Sequence, residues 1–187
     1  MIHFPRESGI LLHISSLPGS YGIGELGSEA IRFVSCLKAM NQRLWQILPL
    51  GHTGQHFSPY DLLSSFAGNP LLISINSLVK EGYLREKDLI SLSRSNTQTV
   101  KFKYLCNIKM KLLDRAAEYF LDNISEKEKL LYNKFCKDND YWLDSYSIFW
   151  NIKALSNYKH WTNWKDSFKF REKISIDQFR KKIKREI

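Results

Sequence analysis

Two polar, glycine-rich stretches hold most of the side chains that could bind or transform a ligand. The first runs from His13 through Ser15-Ser16-Leu17-Pro18-Gly19 and Tyr21-Gly22-Ile23-Gly24-Glu25 to Gly27. The second runs from Gly51-His52-Thr53-Gly54 through Ser58-Pro59-Tyr60 to Gly68-Asn69-Pro70. General acid–base work needs positioned carboxyl groups or imidazoles. Glu7, Glu25, Glu29 and Asp61 are the four acids of residues 1–80, and only Glu25 and Asp61 fall in these loops. No spacing pairs them, and Glu25 reads as a solvated loop acid. His13, His52 and His56 lack metal-ligand spacing with an acidic partner, so neither a metal nor a cofactor is expected. Cys36, Cys106 and Cys136 lie 70 and 30 positions apart, with no CxxC pair and no even-numbered disulfide framework. Bland or buried reduced thiols are the reading for all three.

The elements that must position these loops follow from the apolar pattern. Gly9–Leu12 is a short continuous apolar run, as in a parallel strand buried on both faces. Ser28 can cap a helix with Glu29 in its first turn, and Ala30, Phe33, Val34 and Leu37 recur at helical steps until an end near Asn41. Leu44–Leu48 reads as a second strand, closed by Pro49 and Gly51. The unit is of βαβ type, with an expected right-handed crossover, and both loops follow its strands. Loops at the carboxyl ends of parallel strands converge on one face, where α/β folds build their sites. His13 directly follows the first strand, where a barrel places site residues; a hydrogen-bonded structural role is the competing reading. Asn69 reads equally well as a site residue and as a turn residue before a proline.

After Gly82 the chain loses nearly all Gly and Pro and turns helical. Leu105, Ile108, Leu112, Ala116 and Tyr119 define one amphipathic helix, and Ser125 with Glu128 forms a capping-box pattern opening another that carries Leu130, Leu131 and Phe135. Trp142, Tyr146, Phe149 and Trp150 mark a third helix, whose aromatic face is expected to pack against its neighbours. A last one carries Ile176, Phe179, Ile183 and Ile187, with no stop signal before the final residue, so a helix interrupted there is expected. The reading is therefore two parts, residues 1–80 and 81–187.

The 187 residues, 43% hydrophobic and 25% charged, have the composition of a globular protein with a sizeable core. The longest apolar runs are far shorter than the roughly 20 residues of a membrane-spanning helix, and Met1–Arg6 lacks the pattern of a signal peptide. A cytoplasmic protein with no membrane partner is the expectation. The net charge of +9 is uneven: residues 1–80 carry five basic and four acidic residues, a net of +1, and residues 81–187 carry 23 and 15, a net of +8. Most of that excess is Lys interspersed with acids, a solvated surface, and no nucleic-acid partner is expected. The densest exception is Arg180-Lys181-Lys182-Ile183-Lys184-Arg185.

The two loops and the strand between them carry three ordered motifs: Leu11-Leu12-His13 with Ser16-Leu17-Pro18-Gly19 and Tyr21-Gly22-Ile23-Gly24; Trp45-Gln46 with Leu48-Pro49-Leu50-Gly51 and Thr53-Gly54; and Ser58-Pro59-Tyr60 with Phe66-Ala67-Gly68-Asn69-Pro70-Leu71-Leu72. In order and spacing they resemble the opening of the 4-α-glucanotransferases of the amylomaltase type. Tyr141–Phe149 and Trp161-Thr162-Asn163-Trp164 are similar to that family's helical insertion. The resemblance implies an α/β fold, an incomplete (β/α)₈ TIM barrel (two of eight strands and the first helix) plus a mainly helical insertion. It implies transfer of an α-1,4-glucan segment to a sugar acceptor by retaining double displacement, with maltooligosaccharides as partners. Such chemistry uses two carboxyl groups about 5–5.5 Å apart, which the family draws from later strands, so no catalytic residue is expected here. A non-catalytic glucan-binding remnant is the alternative. Tyr60 matches the family's active-site tyrosine, whose ring can stack on glucose, with Ser58 setting up its loop; His13 and Asn69 complete the substrate-binding candidates. Gln55 stands where several members carry an aromatic, so the resemblance does not carry accessory glucan binding.

Overall fold

A computed structural model describes residues 6–90, Leu92 and residues 99–183. By its contacts the chain forms two units, Met1–Leu63 with Gly68–Ile124, and Ser64–Ala67 with Ser125–Ile187.

The first unit begins with β1 (Gly9–Leu11), α1 (Ser28–Ala39) and β2 (Leu44–Gln46). The strands pair in parallel, Gly9 beside Leu44 and Leu11 beside Gln46, and Leu12 N–H adds a bond to the Gln46 carbonyl at 3.0 Å. A two-residue hairpin cannot join parallel strands, so α1 serves as the crossover. Its cap differs from the sequence expectation: Gly27 is the N-cap and Ser28 the first helical residue, and Asn41 turns the chain with φ of 56° just after the helix. Phe33 meets Trp45 edge to face at 4.9 Å, and both lie on a cluster of Ile14, Leu17, Ala30 and Leu72.

Burial of the strands on both faces does not hold. Ile10, Leu11 and Leu44 are 39%, 59% and 51% exposed. Each strand has only the other as a hydrogen-bonded strand neighbour among the described residues, and Leu12 and Trp45 pack with Ala30 and Phe33 of α1. On α1, Ala30 and Leu37 are buried, while Val34 and Cys36 are exposed.

The larger core joins the first loop to the helices after it. Tyr21 and Ile23 are buried with Leu71, Ile75, Leu84, Leu89, Leu105, Leu112 and Ala116. Residues of α2 (Ile75–Lys80) and α3 (Phe102–Asn123) thus pack beside the loop rather than with the helices that follow. The buried row on α3 is Leu105, Lys109, Leu112 and Ala116, a 4-3-4 step, with Ile108 of the expected face packed against the same core and Tyr119 exposed.

The second unit holds α4 (Glu126–Asp138), α5 (Asp140–Leu155), α6 (Asp166–Lys169) and α7 (Lys173–Lys182). The expected capping box forms: Glu128 N–H donates to Ser125 Oγ at 3.3 Å and Ser125 N–H to Glu128 Oε2 at 2.9 Å. Leu130, Leu131 and Phe135 of α4 are exposed. The aromatics of α5 pack as expected, with Trp142, Tyr146 and Phe149 in succession at 6.1 Å and Phe149 against Trp164 at 5.5 Å. Ile148 and Ile152 bury against Ile176, Phe179 and Ile183. Arg180 donates to both carboxylate oxygens of Asp144, at 3.1 and 2.7 Å, and to Asp177 at 3.0 Å, so the first residue of the basic run is already neutralised. Lys184, Arg185 and Ile187 lie outside the described residues.

Candidate functional site

The second loop is a closed structure. Antiparallel bridges join Gly51 to Gly68 and Thr53 to Leu62. Inside them, Gly54 N–H donates to the Asp61 carbonyl and Leu63 N–H to that of His52, each at 2.8 Å. A Cβ at Gly54 would lie 2.5 Å from Asp61 Oδ2, so the Asp61 carboxylate packs directly over this glycine. Two turns complete the tip, Phe57 N–H to Gly54 O at 3.1 Å and Asp61 N–H to Ser58 O at 3.0 Å. Phe57 takes a left-handed φ of 56°, uncommon for a bulky residue, and its ring stacks on Phe102 at 5.5 Å. That packing offsets the backbone strain and anchors the tip.

On this frame Tyr60 is 76% exposed. Its N–H donates to Ser58 Oγ at 3.3 Å, so Ser58 shapes the turn that presents the ring. Asn69 N–H returns to the Leu50 carbonyl at 2.8 Å. The Asn69 side chain caps a 3₁₀ turn over Pro70–Leu72, with Oδ1 accepting from Leu71 N–H at 3.0 Å. The turn reading of Asn69 is thus realised, and the turn uses Oδ1 while Nδ2 keeps its donor capacity. Ser58, Tyr60 and Asn69 lie on one loop. His13 stands just beyond β1 and no hydrogen bond joins it to them; its Nδ1 is buried and lacks a protein partner, so it makes no bond of the structural kind at that atom. Burial lowers the pKa of His13, and that of His52 to about 4, so both rings are neutral near pH 7.

Glu25 overturns its reading as a solvated acid. It is 9% exposed, and Oε1 lies 2.5 Å from the ammonium of Lys109, which is 0% exposed. Its Oε2 accepts from Ile75 N–H at 3.1 Å at the start of α2. Lys109 also donates to the Leu71 carbonyl at 2.7 Å. Burial pushes the Glu25 carboxyl up and the Lys109 ammonium down, and the attraction between them opposes both shifts. The first loop is thereby a packed wall rather than an open one: Gly19 and Gly24 sit where a Cβ would collide with the carbonyls of Ile23 and Ile14. A lysine in the apolar phase of α3 was the sequence signal for this pair. Cys106 is half-buried, and burial pushes its thiol up, which disfavours the thiolate.

Comparison with known proteins places this geometry. The family model described as 4-alpha-glucanotransferase matches residues 12–187. The 4-alpha-glucanotransferase of Clostridium butyricum is 36% identical over 177 residues, 94% of this chain and 36% of that protein. That of Thermus thermophilus is 34% identical over 186 residues, 100% of this chain and 36% of the relative. An amylomaltase from Streptococcus agalactiae, solved in complex with acarbose, superimposes with a TM-score of 0.90 at 32% identity over 97% of this chain and 37% of that one. The chain therefore spans little more than a third of the length of these relatives, and the likeness gives it a partial barrel-type α/β fold. From its motifs, its family match and its backbone alike, the chain belongs to the 4-alpha-glucanotransferase family.

Proposed function

We propose that this chain supplies the first glucan-binding surface of a 4-α-glucanotransferase, an enzyme that moves an α-1,4-glucan segment to a sugar acceptor by retaining double displacement. The observation that carries the proposal is Tyr60, an exposed ring on a loop braced at both ends by backbone bridges. A rigid exposed aromatic suits the apolar face of a glucose ring, and neighbouring polar groups fix its hydroxyls. Ser58 holds the loop tip, Asn69 Nδ2 offers a donor, and neutral His13 stands at the adjacent strand end. Residues 1–80 would be the first βαβ unit of the barrel and residues 81–187 its helical insertion. The acarbose complex of the streptococcal relative fits an oligosaccharide ligand.

The two carboxyl groups of the reaction are proposed to come from outside this stretch. Glu25 is held by Lys109, Glu7 faces Arg43 at 3.3 Å, and Glu29 faces Arg32 at 3.6 Å. Asp61 alone does not make the pair that double displacement needs. A cytoplasmic location belongs to the same proposal. Calorimetric titration with maltoheptaose tests it, with saturable heat expected for the 187-residue chain and weaker binding, about fivefold, for Tyr60→Ala. Equal affinity of the two chains would refute the assignment of Tyr60. Incubation with maltotriose should leave its chain length unchanged, and redistribution into longer and shorter products would refute the external source of the carboxylates.

A further inference from the structure

We propose that Lys109 is a positioning residue for the glucan site, acting through the 3₁₀ turn to fix Asn69. This rests on the reading of Asn69 as a glucan contact. Lys109 lies on α3, forty positions from Asn69, yet its ammonium donates to the Leu71 carbonyl at 2.7 Å. The peptide unit that carries this carbonyl also carries Leu72 N–H, which donates to the Asn69 carbonyl at 3.0 Å. The preceding peptide carries Leu71 N–H, which donates to Asn69 Oδ1 at 3.0 Å. Holding Leu71 therefore holds both the backbone and the amide of Asn69.

A peptide carbonyl at this place needs only a neutral donor, and a buried lysine is a costly way to provide one. Glu25 makes the charge tolerable by pairing with it, and the same carboxylate accepts from Ile75 N–H at the head of α2 while Leu26 N–H donates to the Leu72 carbonyl at 2.8 Å. The pair thus clamps the turn from two sides: Lys109 grips the Leu71 carbonyl, and the segment carrying Glu25 grips that of Leu72. Replacement of such a pair by apolar groups is often tolerated by the fold, whereas loss of one partner leaves a buried charge uncompensated. Stability alone does not require the lysine, and the geometry it imposes on the turn distinguishes it.

The test is made on the 187-residue chain with two readouts. Amide hydrogen exchange at Leu71 and Leu72 reports the turn whether or not glucan binds. In Lys109→Met their protection should fall at least tenfold while that of Ile148 in the second unit is unchanged. Maltoheptaose calorimetry then closes a cycle: Lys109→Met and Asn69→Ala should weaken binding by the same factor, and the double variant should be no weaker than either. Should Lys109→Met fail to fold, Glu25→Gln/Lys109→Met, which removes both charges, takes its place in both readouts. Unchanged protection at Leu71 and Leu72, binding losses that multiply, or failure of the paired variant to fold would each overturn the proposal. Absence of heat with the unsubstituted chain would remove the glucan reading, and exchange would still decide what Lys109 holds.

Discussion

At the scale of residues, the site separates side chains that present themselves from those that hold the frame. Tyr60 is exposed and Ser58 and Asn69 have their oxygens committed to backbone N–H groups, so substitutions at these positions differ in kind. Tyr60→Phe should keep most of the stacking and lose only the contribution of the hydroxyl, with folding stability within about 0.5 kcal/mol of the parent by urea unfolding. His52 adds a pH dependence. Burial holds its pKa at about 4 against an ordinary 6.5. Below about 6.5 the unfolded chain takes up a proton that the folded chain refuses, so this contribution is full above that pH, falls toward pH 4 and levels off beneath. The loss is on the order of 3 kcal/mol from a shift of this size. Urea unfolding from pH 7 to pH 4 should show the decline, and His52→Gln should flatten it; an identical slope in the variant would contradict the assignment. The motif that carries Tyr60 was legible in the sequence, and its role on the glucan site remains the proposal. Glu25 was not, because a loop acid flanked by glycines looks solvated until the partner 84 residues away is brought to it.

Elements were legible where periodicity or capping chemistry is local. The crossover helix, the two strands and the Ser125–Glu128 capping box all follow from short-range pattern, and all form. Boundaries and caps were less so: Gly27 rather than Ser28 caps α1 because the chain reaches the helix in an extended conformation at the glycine. The loop of Gly51–Gly68 shows no apolar period at all, and its order comes from paired bridges and from Phe57 on Phe102, contacts that single-sequence reading cannot supply. Two consequences belong to this scale. Ser125→Ala should destabilise α4 by about 1 kcal/mol, seen as faster amide exchange in Glu126–Asp138, which has no buried side chain to compensate. Gly54→Ala should displace the Asp61 carboxylate and lower maltoheptaose affinity while α3 amides keep their protection. Unaltered affinity would show that the Asp61 carboxylate does not shape the site.

For the molecule as a whole, the question is what a βαβ piece with two strands can do alone. Parallel strands are ordinarily covered on both faces, and open strand edges invite association. Here β1 and β2 pair only with each other among the described residues, and Ile10, Leu11, Leu44, Ile31 and Val34 are exposed. The purified chain should therefore self-associate with rising concentration, measured by light scattering, and unfold over a broad thermal range; a monomer with one sharp transition would contradict this. Within the basic run, Arg180 is paired with Asp144 and Asp177. No helix among the described residues is long and apolar enough to cross a membrane. Class and family were legible from composition and three motifs, whereas exposure of the strands was not, because an apolar run gives no sign of how many neighbours the chain provides.

The glucan-binding surface proposed above lies in the loop that follows the second strand. Backbone amide shifts of the 187-residue chain, followed by NMR during titration with maltoheptaose, test it most directly. Saturable shifts are expected at residues 52–63 and at Asn69, with none in α4–α7, and their loss is expected in Tyr60→Ala. Shifts confined to the second unit, or no shifts at millimolar sugar, would contradict it.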